Sequence, residues 1–490
     1  MPNAAPLPTD LLPTHRDLFY GGRWHPATSG RYLDLIDPAT GEALGQVAEA
    51  GAADVDAAVT AATVAAPAWR ALPPLRRALL LRELAQRIRA NADLLATLDA
   101  LNNGNPISEA RGDTAHAAGL LDFFAGLVTE TKGSSFPGGA DVVNFTVREP
   151  YGVIAKIVAY NHPLLFAIGK AAAALATGNA VVVKPPEQAP LSVLRLAEII
   201  GDVLPPGVLN FVPGGREAGA ALAGHPQVGK VFLVGSVPAG RAVLAAAAAT
   251  IKPAGLELGG KNALIAFPDS DPDKVAQAIT DGMNLTWCGQ SCGSTSRAFV
   301  HEALYDTVVE RVKARFEAIV PGPPLDPATR MGALISQAQL DKVLAYIRIG
   351  QEEGARLVCG GRRPDDPALA GGFFVLPTLF ADVTMKMRIA REEIFGPVLS
   401  MLRWTDEATM INEVNVVEYG LTSAVWTNDL STAHRVAGQV QSGYVWINHV
   451  AQHIPGAPFG GYKQSGMERD GGIGELMSTT QEKFIHIRLA

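Results

Sequence analysis

Five short apolar runs recur between Gly152 and Pro268: VIAKIVA (153–159), AVVVKP (180–185), VLNFVPG (208–214), KVFLVGS (230–236) and ALIAF (263–267). They are rich in β-branched residues, and segments of helical length rich in Ala and Leu separate them. Strands and helices that alternate in this way form β-α-β units, in which each helix crosses the sheet before the next parallel strand. The region therefore predicts an α/β domain built on a parallel sheet.

The segments on either side predict further units. From Asp271 onward, helical patterns near 273–287, 302–317 and 336–353 alternate with the strand-like runs AFV, LSMLRW, SAVWT and YVWIN, which indicates a second α/β domain. Residues 53–130 have the apolar spacing of helices, whereas residues 131–150 shift toward alternation after Gly and Pro. A small hairpin extension is expected there.

Composition limits the classes of function. The 490 residues are 48% hydrophobic and carry a formal net charge of −7, without a basic run. This charge distribution gives no electrostatic footprint for nucleic acid or for an anionic membrane. The most apolar stretches are interrupted or too short for the roughly 20 residues that a bilayer requires. We expect a globular protein that acts on small molecules, with no nucleic-acid or membrane partner.

Cysteine usage and the start of the chain predict a cytoplasmic location. Three cysteines, Cys288, Cys292 and Cys359, are too few for a disulfide framework and indicate a reducing compartment. The first residues lack the charged-then-apolar order of a signal peptide.

Cys292 is the candidate nucleophile. It lies in WCGQSCGSTSR (287–297), where Gly289 and Gly293 let the backbone approach a ligand and polar neighbours replace an apolar core. Cys288 comes one helical turn earlier, and one alternative is that it lines the same cavity. We interpret Cys288 and Cys359 as structural.

Two further residues suit the chemistry of a thiolate that adds to an aldehyde. The alkoxide that forms needs a hydrogen-bond donor, which Asn161 in AYNHPLL (159–165) supplies after a strand; a turn residue is the alternative interpretation. Hydride loss leaves a thioester, whose hydrolysis needs a base. Glu257 in GLELGGKN (255–262) has an apolar setting that raises a carboxyl pKa, although a solvent-exposed glutamate at a strand edge is the alternative.

The sequence offers two dinucleotide-binding segments in place of the usual G-x-G-x-x-G. KPPE (184–187) and GSVPAG (235–240) each follow a strand, and in the second Gly235 and Ser236 precede Pro238. Free backbone amides at such a helix start can bind a pyrophosphate. Together they predict a dinucleotide site. No metal site is expected, because His449 and His453 have no third ligand nearby.

Seven segments resemble the aldehyde dehydrogenase superfamily, in its order and spacing, from about Tyr20 to Lys483: AYNHPLL, KPPE, VGS, LELGGKN, GQSC, EEIFGPV (392–398) and PFGGYKQSG (458–466). The resemblance is to the NAD(P)-dependent, hydrolytic, non-CoA-acylating type. It implies a Rossmann-like cofactor domain (1–130 and 151–260), a catalytic α/β domain (261–465) and a small β oligomerisation extension (131–150 and 466–490). A homodimer or homotetramer follows.

The resemblance also implies roles for individual residues. Cys292 would be the nucleophile and Glu257 the general base, with an oxyanion hole from the Asn161 side chain and the Cys292 amide. Lys170 would join a proton relay with an acid of the C-terminal signature. The implied cofactor contacts are Lys184 and Glu187 at the adenine ribose, Ser236 beside Gly235 at the pyrophosphate, Glu393 at the nicotinamide ribose and Phe395 near the nicotinamide. The Glu187 carboxylate favours NAD over NADP, because it would repel a 2′-phosphate.

The chain departs from the family pattern at two positions of the C-terminal signature. SGMERDG (465–471) has Glu468 where relatives commonly have glycine, and Asp470 where they have glutamate. Asp470 is shorter by one methylene, so the sequence leaves its contact with Lys170 open.

The implied substrate tunnel is aromatic with polar tips; its expected residues are Tyr160, His162, Trp287, Cys288, Trp426, Val450, His453 and Phe459. His162 and His453 replace common aromatics, which indicates a substrate with a hydroxyl or carboxylate group; that they merely pack there is the alternative. We expect oxidation of an aromatic or hydroxylated aldehyde to its acid. A CoA-acylating enzyme is disfavoured by Glu257, a phosphorylated substrate by the lack of Arg or Lys in the expected tunnel, and a redox-silent binding paralogue by Cys292 and Glu257 together.

Overall fold

The computed structural model describes residues 11–489, so the first ten residues of the predicted 1–130 segment and residue 490 lie outside the description. The strands are β1 Leu18–Tyr20, β2 Arg23–His25, β3 Tyr32–Ile36, β4 Ala43–Ala48, β5 Ser135–Phe136, β6 Val142–Pro150, β7 Val153–Ile157, β8 Ala180–Lys184, β9 Leu209–Phe211, β10 Lys230–Val234, β11 Ala254–Glu257, β12 Ala263–Ala266, β13 Arg297–His301, β14 Arg356–Cys359, β15 Thr378–Ala381, β16 Val398–Trp404, β17 Tyr419–Gly420, β18 Thr422–Trp426, β19 Tyr444–Ile447, β20 Tyr462–Lys463, β21 Gly466–Met467 and β22 Thr480–Arg488. The helices are α1 Ala52–Ala71, α2 Pro74–Ala90, α3 Ala92–Asn103, α4 Ile107–Gly126, α5 Lys170–Ala176, α6 Leu191–Ile200, α7 Arg216–Gly224, α8 Val237–Ala248, α9 Pro272–Gly282, α10 Glu302–Glu317, α11 Gln337–Glu352, α12 Arg388–Arg391, α13 Glu407–Asn415, α14 Leu430–Gln439 and α15 Ile473–Ser478.

The first sheet has the strand order β2-β1-β9-β8-β7-β10-β11-β21, and the five strands from β9 to β11 run parallel. The first of these in sequence, β7, is central, with the next two on one side and the last two on the other. This is the doubly wound order of a Rossmann-like sheet, as expected. Side chains of β8 alternate between two cores, Val181 and Val183 in one and Ala180 and Val182 in the other, because helices cover both faces.

Helices α1 to α4 confirm the helical region predicted over 53–130. The antiparallel edge strands β1 and β2, and the separate pair β3 and β4, were not expected from the sequence. Their short length and mixed burial give little alternation to detect.

The second sheet has the order β14-β15-β16-β13-β12-β18-β19 and is parallel except for β14. Strands β13, β16, β18 and β19 confirm the four predicted runs, and α10 and α11 confirm two of the predicted helices. The helix predicted over 273–287 ends earlier, at Gly282. Asn284 and Cys288 have positive φ angles of 50° and 55° and bracket a single 3₁₀ turn, Leu285–Trp287, because the chain reverses before β13.

The predicted hairpin is present in a third sheet, β22-β6-β5. β22 pairs with β6 from Thr480↔Pro150 to Arg488↔Val142. The sheet leaves Phe136, Val143 and Phe484 exposed. Among the helices of residues 11–489, none combines the length and the apolar character that a membrane crossing requires.

The two large sheets bring distant residues together. Lys184 and Glu257 end β8 and β11, whereas Asn161 and Ser236 follow β7 and β10, so four predicted site residues lie at the carboxyl edge of one parallel sheet. Ligands of open α/β sheets bind at this edge. Cys292 precedes β13 and therefore comes from the amino end of the second sheet.

Candidate active site

A cavity of about 350 Å³ is lined by three of the four residues proposed for catalysis. Cys292, Glu257 and Lys170 line it together. The first comes from the loop before β13, the second from the end of β11 and the third from the start of α5. Three positions separated by up to 122 residues of sequence thus face one enclosed space.

The Glu257 carboxyl group lies close enough to the Cys292 thiol for each group to shift the pKa of the other. Glu257 is 3% exposed, which excludes the solvent-exposed strand-edge interpretation. Burial raises the pKa of Glu257 to about 7, against the opposing charge of Lys170. Burial and the Glu257 charge raise the pKa of the Cys292 thiol well above its usual range. The thiol is therefore protonated at rest, beside a group that is half ionised near neutral pH.

Asn262 holds the cysteine loop in place, a role that the sequence reasoning missed although the residue lies in the quoted LELGGKN segment. Its Nδ2 donates to the Cys292 carbonyl at 2.6 Å and to the Ser294 carbonyl at 3.0 Å. Its Oδ1 accepts from the Thr422 N–H at 3.0 Å. A Cβ at Gly260 would lie 2.5 Å from Asn262 Oδ1, so the glycine gives this amide room. One buried amide thus ties the nucleophile loop to β18.

Two N–H donors remain for an oxyanion. Asn161 lies in a turn and is 3% exposed, and its backbone carbonyl accepts from Asn105 Nδ2 at 2.9 Å. Within residues 11–489, neither its side-chain amide nor the Cys292 N–H makes a hydrogen bond. Asn161 is not among the residues that line the cavity wall. The turn interpretation and a free amide donor are both compatible with this placement.

Asp470 reaches Lys170 in spite of its shorter side chain. Lys170 Nζ lies 2.5 Å from Asp470 Oδ2, and both side chains are largely buried. Burial by itself would lower the pKa of Lys170, but the Asp470 carboxylate, with Glu475 and Glu257, outweighs it and raises that pKa. Lys170 is therefore a permanent cation between Asp470 and Glu257.

The unusual Glu468 also has a buried partner. Lys230, which is 2% exposed, donates to both Glu468 carboxylate oxygens at 2.7 and 2.8 Å and to the Ser478 carbonyl at 2.7 Å. A Cβ at Gly255 would lie 2.5 Å from Glu468 Oε2, so that glycine makes room for the carboxylate. Glu468 thereby fastens the C-terminal signature to β10 and β11.

Asp470→Asn is expected to lower the free energy of unfolding by about 3 kcal/mol, because it leaves the buried Lys170 cation without its nearest counter-charge. Chemical denaturation of purified protein measures the change. The control is Asp306→Asn, which removes the exposed ion pair with Arg403 and should cost less than about 1 kcal/mol. Equal losses in the two variants would contradict the buried pair's role.

The proposed adenine-ribose residues come together at the carboxyl ends of β8 and β9. Lys184 Nζ donates to the Pro185 carbonyl at 3.1 Å and to the Gly214 carbonyl at 2.7 Å. Burial lowers the pKa of Lys184 to about 8, against the opposing charge of Glu187. A Cβ at Gly215 would lie 3.5 Å from Glu187 Oε2. The Lys184 ammonium, the Glu187 carboxylate and the backbone at Gly215, which has no side chain, supply donors and acceptors that suit ribose hydroxyls.

Ser236 caps α8, accepting from the Ala239 N–H at 3.4 Å, and Gly235 precedes it. The Ser236 side chain is exposed, so the positive end of this helix faces solvent at the sheet's carboxyl edge, where an anion binds favourably.

Glu393 and Phe395 lie closer to the catalytic loop. Glu393 Oε1 accepts from the Gly260 N–H at 2.8 Å, and a Cβ at Gly259 would overlap this carboxylate. Phe395 has a positive φ of 57° and makes an edge contact with Tyr160, with ring centroids 6.0 Å apart. These residues fit a dinucleotide whose pyrophosphate lies at α8 and whose second ribose lies near Glu393.

Four of the eight expected tunnel residues line the cavity: His162, Trp287, His453 and Phe459. Cys288 instead points into the core, where its thiol donates to the Ala333 carbonyl at 3.3 Å, and burial raises its pKa to about 12. The expected helical turn between Cys288 and Cys292 is absent because both Cys288 and Gly289 have positive φ.

The other three lie outside the lining for separate reasons. Trp426 ends β18 and so sits at the carboxyl end of the second sheet, opposite to the end from which Cys292 comes. Val450 is 8% exposed and packs in the second sheet's core. Tyr160 faces Phe395, on the side of the proposed cofactor residues.

One face of α4 forms a wall that the sequence reasoning missed. Glu109, Asp113 and His116 are spaced four and three residues apart, which places them on one helical face, and all three line the cavity. Tyr444, Trp446 and Glu475 also line the cavity, and the sequence reasoning missed them as well. The helical spacing of Glu109, Asp113 and His116 was the feature of the sequence that could have identified this wall. No cluster of three or more potential metal ligands occurs in the described part of the chain.

The chain is similar to known proteins over nearly its whole length. A model of the aldehyde dehydrogenase family matches residues 24–485. The chain is 48% identical to aldehyde dehydrogenase tropH of Talaromyces stipitatus, over all of this chain and 96% of that protein. PnpE from Pseudomonas sp. WBC-3 is 39% identical, with a TM-score of 0.94 over 97% of this chain and 98% of PnpE. An aldehyde dehydrogenase from Bacillus cereus, solved as its NAD⁺ complex, is 38% identical, with a TM-score of 0.94 over 97% of each chain.

Sequence identity near one half over the full chain, and a family match that spans nearly all of it, lead to one conclusion: this protein belongs to the aldehyde dehydrogenase family.

Proposed function

We propose that the protein oxidises an aldehyde to its carboxylic acid, with NAD as the hydride acceptor and water as the source of the second oxygen. The observation that carries this proposal is that the Cys292 thiol and the buried Glu257 carboxyl group line one cavity. A nucleophile alone would serve an acyl transfer to CoA. A carboxyl group with a pKa of about 7 beside it supplies the base for hydrolysis.

Glu257 takes the thiol proton as Cys292 Sγ attacks the aldehyde carbon, which gives a thiohemiacetal alkoxide. The Asn161 amide and the Cys292 N–H donate to that alkoxide. Bound NAD supplies the acceptor for the hydride that leaves the former aldehyde carbon. The Cys292 thioester remains on the enzyme.

Hydrolysis of the thioester then uses the same carboxylate. Glu257 first releases the thiol proton to solvent. Its carboxylate then removes a proton from water as the water oxygen attacks the thioester carbon, and Cys292 leaves as a thiolate that takes this proton back. The Lys170 cation, fixed by Asp470 at 2.5 Å, favours the ionised form of Glu257. The Lys170–Asp470 ion pair therefore holds a positive charge close to Glu257 and adjusts the pKa of this base.

The assay is reduction of NAD by an aldehyde panel, followed at the absorbance of NADH, with the acid product identified by mass spectrometry. We expect turnover without added CoA. Turnover that requires CoA would support the acylating alternative, and NAD binding without oxidation of any aldehyde would support a redox-silent binding protein.

We propose NAD rather than NADP as the preferred acceptor, since the Glu187 carboxylate beside Gly215 would repel the 2′-phosphate of a ribose bound there. Glu187→Gln is expected to raise the ratio of kcat/KM with NADP to kcat/KM with NAD about tenfold, or about 1.4 kcal/mol. Glu83→Gln on the surface of α2 is the control and should leave the ratio unchanged. An unchanged ratio in Glu187→Gln would contradict the proposed contact.

We propose an aromatic or hydroxylated aldehyde as the substrate. Phe166, Trp287, Trp446 and Phe459 supply aromatic walls, and His162 and His453 supply polar tips. His453 packs against Phe459 with ring centroids 4.8 Å apart. This composition suits a flat ring with a polar substituent.

We also propose that the protein self-associates through the β22-β6-β5 sheet and acts in the cytoplasm. The sheet's exposed Phe136 and Phe484 pack edge to face, with ring centroids 5.6 Å apart. Val143 and Ile487 pair across β6 and β22 and are exposed on the opposite face. Exposed apolar side chains of this kind are surfaces that a second copy would cover.

A further inference from the structure

His162 and Asp113 form a buried polar pair in the cavity wall. His162 Nδ1 lies 2.7 Å from Asp113 Oδ2, and both side chains are at least 86% buried. A carboxylate accepts hydrogen bonds and does not donate them, so Nδ1 carries a proton. The other ring nitrogen, Nε2, is the atom left for a ligand.

The ring orientation is fixed by packing as well as by Asp113. His162 lies between Phe166 and Trp287, with ring centroids 5.0 and 5.3 Å away. Within residues 11–489, Nε2 makes no hydrogen bond. Burial by itself would lower the pKa of His162, but the charge and hydrogen bond of Asp113 outweigh it and raise that pKa. The doubly protonated ring is thereby favoured, and in it Nε2–H is an oriented donor without a partner.

The other titratable groups of this wall can accept a hydrogen bond. Burial lowers the pKa of His116, and it lowers the pKa of His453 to about 4, so both imidazoles are neutral at pH 7. Glu109 adds a carboxyl group on the same helix as Asp113. One fixed donor and several acceptors thus surround the aromatic part of the cavity.

Charge limits what substituent can enter. Among the described lining residues, Lys170 is the sole lysine or arginine, and Asp470 already neutralises it. The His162 charge is likewise balanced by Asp113. A substrate carboxylate would meet no uncompensated cation and would lie near the carboxyl group of Glu109. A neutral hydroxyl can accept from Nε2–H and donate to a neutral imidazole or to a carboxylate.

We propose that the Asp113–His162 pair makes this enzyme selective for aromatic aldehydes with a ring hydroxyl, which accepts a hydrogen bond from His162 Nε2–H. His162 contacts the substrate, and Asp113 is a positioning residue that acts through His162. The inference rests on the proposed aldehyde oxidation and narrows its substrate class.

The test compares kcat/KM for benzaldehyde, the three hydroxybenzaldehydes, the matching methoxybenzaldehydes and 4-carboxybenzaldehyde. For the wild type we expect at least one hydroxy isomer to exceed benzaldehyde and its methoxy counterpart about tenfold, with the carboxy compound poorest. In His162→Phe the hydroxy-to-benzaldehyde ratio should fall below about 2. Asp113→Asn, which removes the charge that favours the protonated imidazole, should lower the same ratio.

The His162→Gln variant distinguishes hydrogen-bond donation by residue 162 from a purely structural role of the imidazole ring. His162→Gln offers an N–H that does not depend on Asp113, so it should retain part of the preference, and adding Asp113→Asn to it should cause no further loss. Asp122→Asn, on the exposed side of α4 where it pairs with Arg89, is the control and should behave as wild type.

The outcomes are distinct. A wild type that oxidises benzaldehyde and hydroxybenzaldehydes equally well, or a His162→Phe variant that keeps the preference, overturns the inference while the proposed aldehyde oxidation stands. Absence of NAD reduction with every aldehyde overturns the proposed oxidation and the inference with it. Because the readout is a ratio between substrates, a partly unfolded variant does not imitate the expected loss.

Discussion

Cys292→Ala is expected to lower kcat for aldehyde oxidation by at least about 10⁴-fold, which is the order of loss when a covalent nucleophile is removed from an enzyme. The thiol is the atom to which the substrate carbon bonds, so no neighbouring group replaces it. Glu257 lies beside Cys292 but is placed to take its proton, and the carboxylate is a poor nucleophile toward an aldehyde. The measurement is NADH formation with a saturating aldehyde.

Two controls keep this loss specific. Cys359→Ala removes a buried thiol outside the cavity and should leave kcat near that of the wild type. NAD binding to Cys292→Ala, followed by calorimetry, should match the wild type, since the proposed adenine-ribose residues are on β8 and its following loop. Activity above about one hundredth of wild type in Cys292→Ala would contradict the assignment of the nucleophile.

Alkylation offers an independent measure of the same residue. Burial and the Glu257 charge raise the pKa of Cys292, so the resting thiol should react slowly with iodoacetamide at neutral pH. Removal of that charge in Glu257→Gln should lower the pKa of Cys292 and speed its modification. Peptide mapping locates the modified cysteine.

The parallel sheets and the proximity of Glu257 and Cys292 follow from information present in the sequence. Four of the five β-branched runs form strands of the first sheet, whereas ALIAF (263–267) forms β12 of the second sheet. Two local segments, GLELGGKN and GQSC, marked the base and the nucleophile. Both segments carry glycines whose missing side chains make room for neighbouring groups, as at Gly259 and Gly260. Local composition therefore identified the reacting groups.

The walls of the cavity depended on geometry that local composition does not encode. Trp426 was expected in the tunnel but lies at the carboxyl end of β18, because the direction of a strand decides which of its ends meets the nucleophile. Cys288 was expected near Cys292, yet positive φ angles at Cys288 and Gly289 turn it into the core. The polar face of α4 resembles an ordinary solvated face until the fold places it opposite Trp287 and His453.

The Lys170–Asp470 contact shows the same limit. Side-chain length alone did not decide whether Asp470 contacts Lys170. In the structure, the backbone position of the C-terminal signature brings Asp470 Oδ2 to 2.5 Å from Lys170 Nζ. The ion pair of Glu468 with Lys230 helps fix that backbone, because it ties the segment to β10. Glu468 thus helps to hold the backbone position from which the shorter Asp470 side chain contacts Lys170.

Glu257→Gln is expected to stop the reaction after the first chemical step. Glutamine has nearly the shape of glutamate but cannot take a proton from water, so the Cys292 thioester should accumulate. Rapid mixing with NAD and aldehyde should give a burst of NADH of about one equivalent per active site, followed by a steady rate lowered by about 10² to 10⁴-fold. Intact-protein mass spectrometry should show the acyl adduct on Cys292.

The pH dependence of the wild type follows from the same carboxyl group. Burial raises the pKa of Glu257 to about 7, so the protonated, inactive form dominates below pH 7 and the ionised base dominates above it. The steady-state rate should therefore fall as the pH drops through about 7. Glu257→Gln should lose this dependence, and Glu257→Asp, which keeps a base one methylene shorter, should retain it at a lower rate.

A wild-type rate that is flat between pH 6 and 8, or a Glu257→Gln variant that turns over without a burst and without an adduct, would assign the base to another group. The nearest candidate would then be Glu475, a buried carboxyl group of the same cavity whose pKa is also raised by burial. Its Oε2 accepts from the Gly471 N–H at 2.7 Å, whereas Glu257 is the carboxyl group whose charge most strongly raises the pKa of the Cys292 thiol. That proximity is why the base is assigned to Glu257.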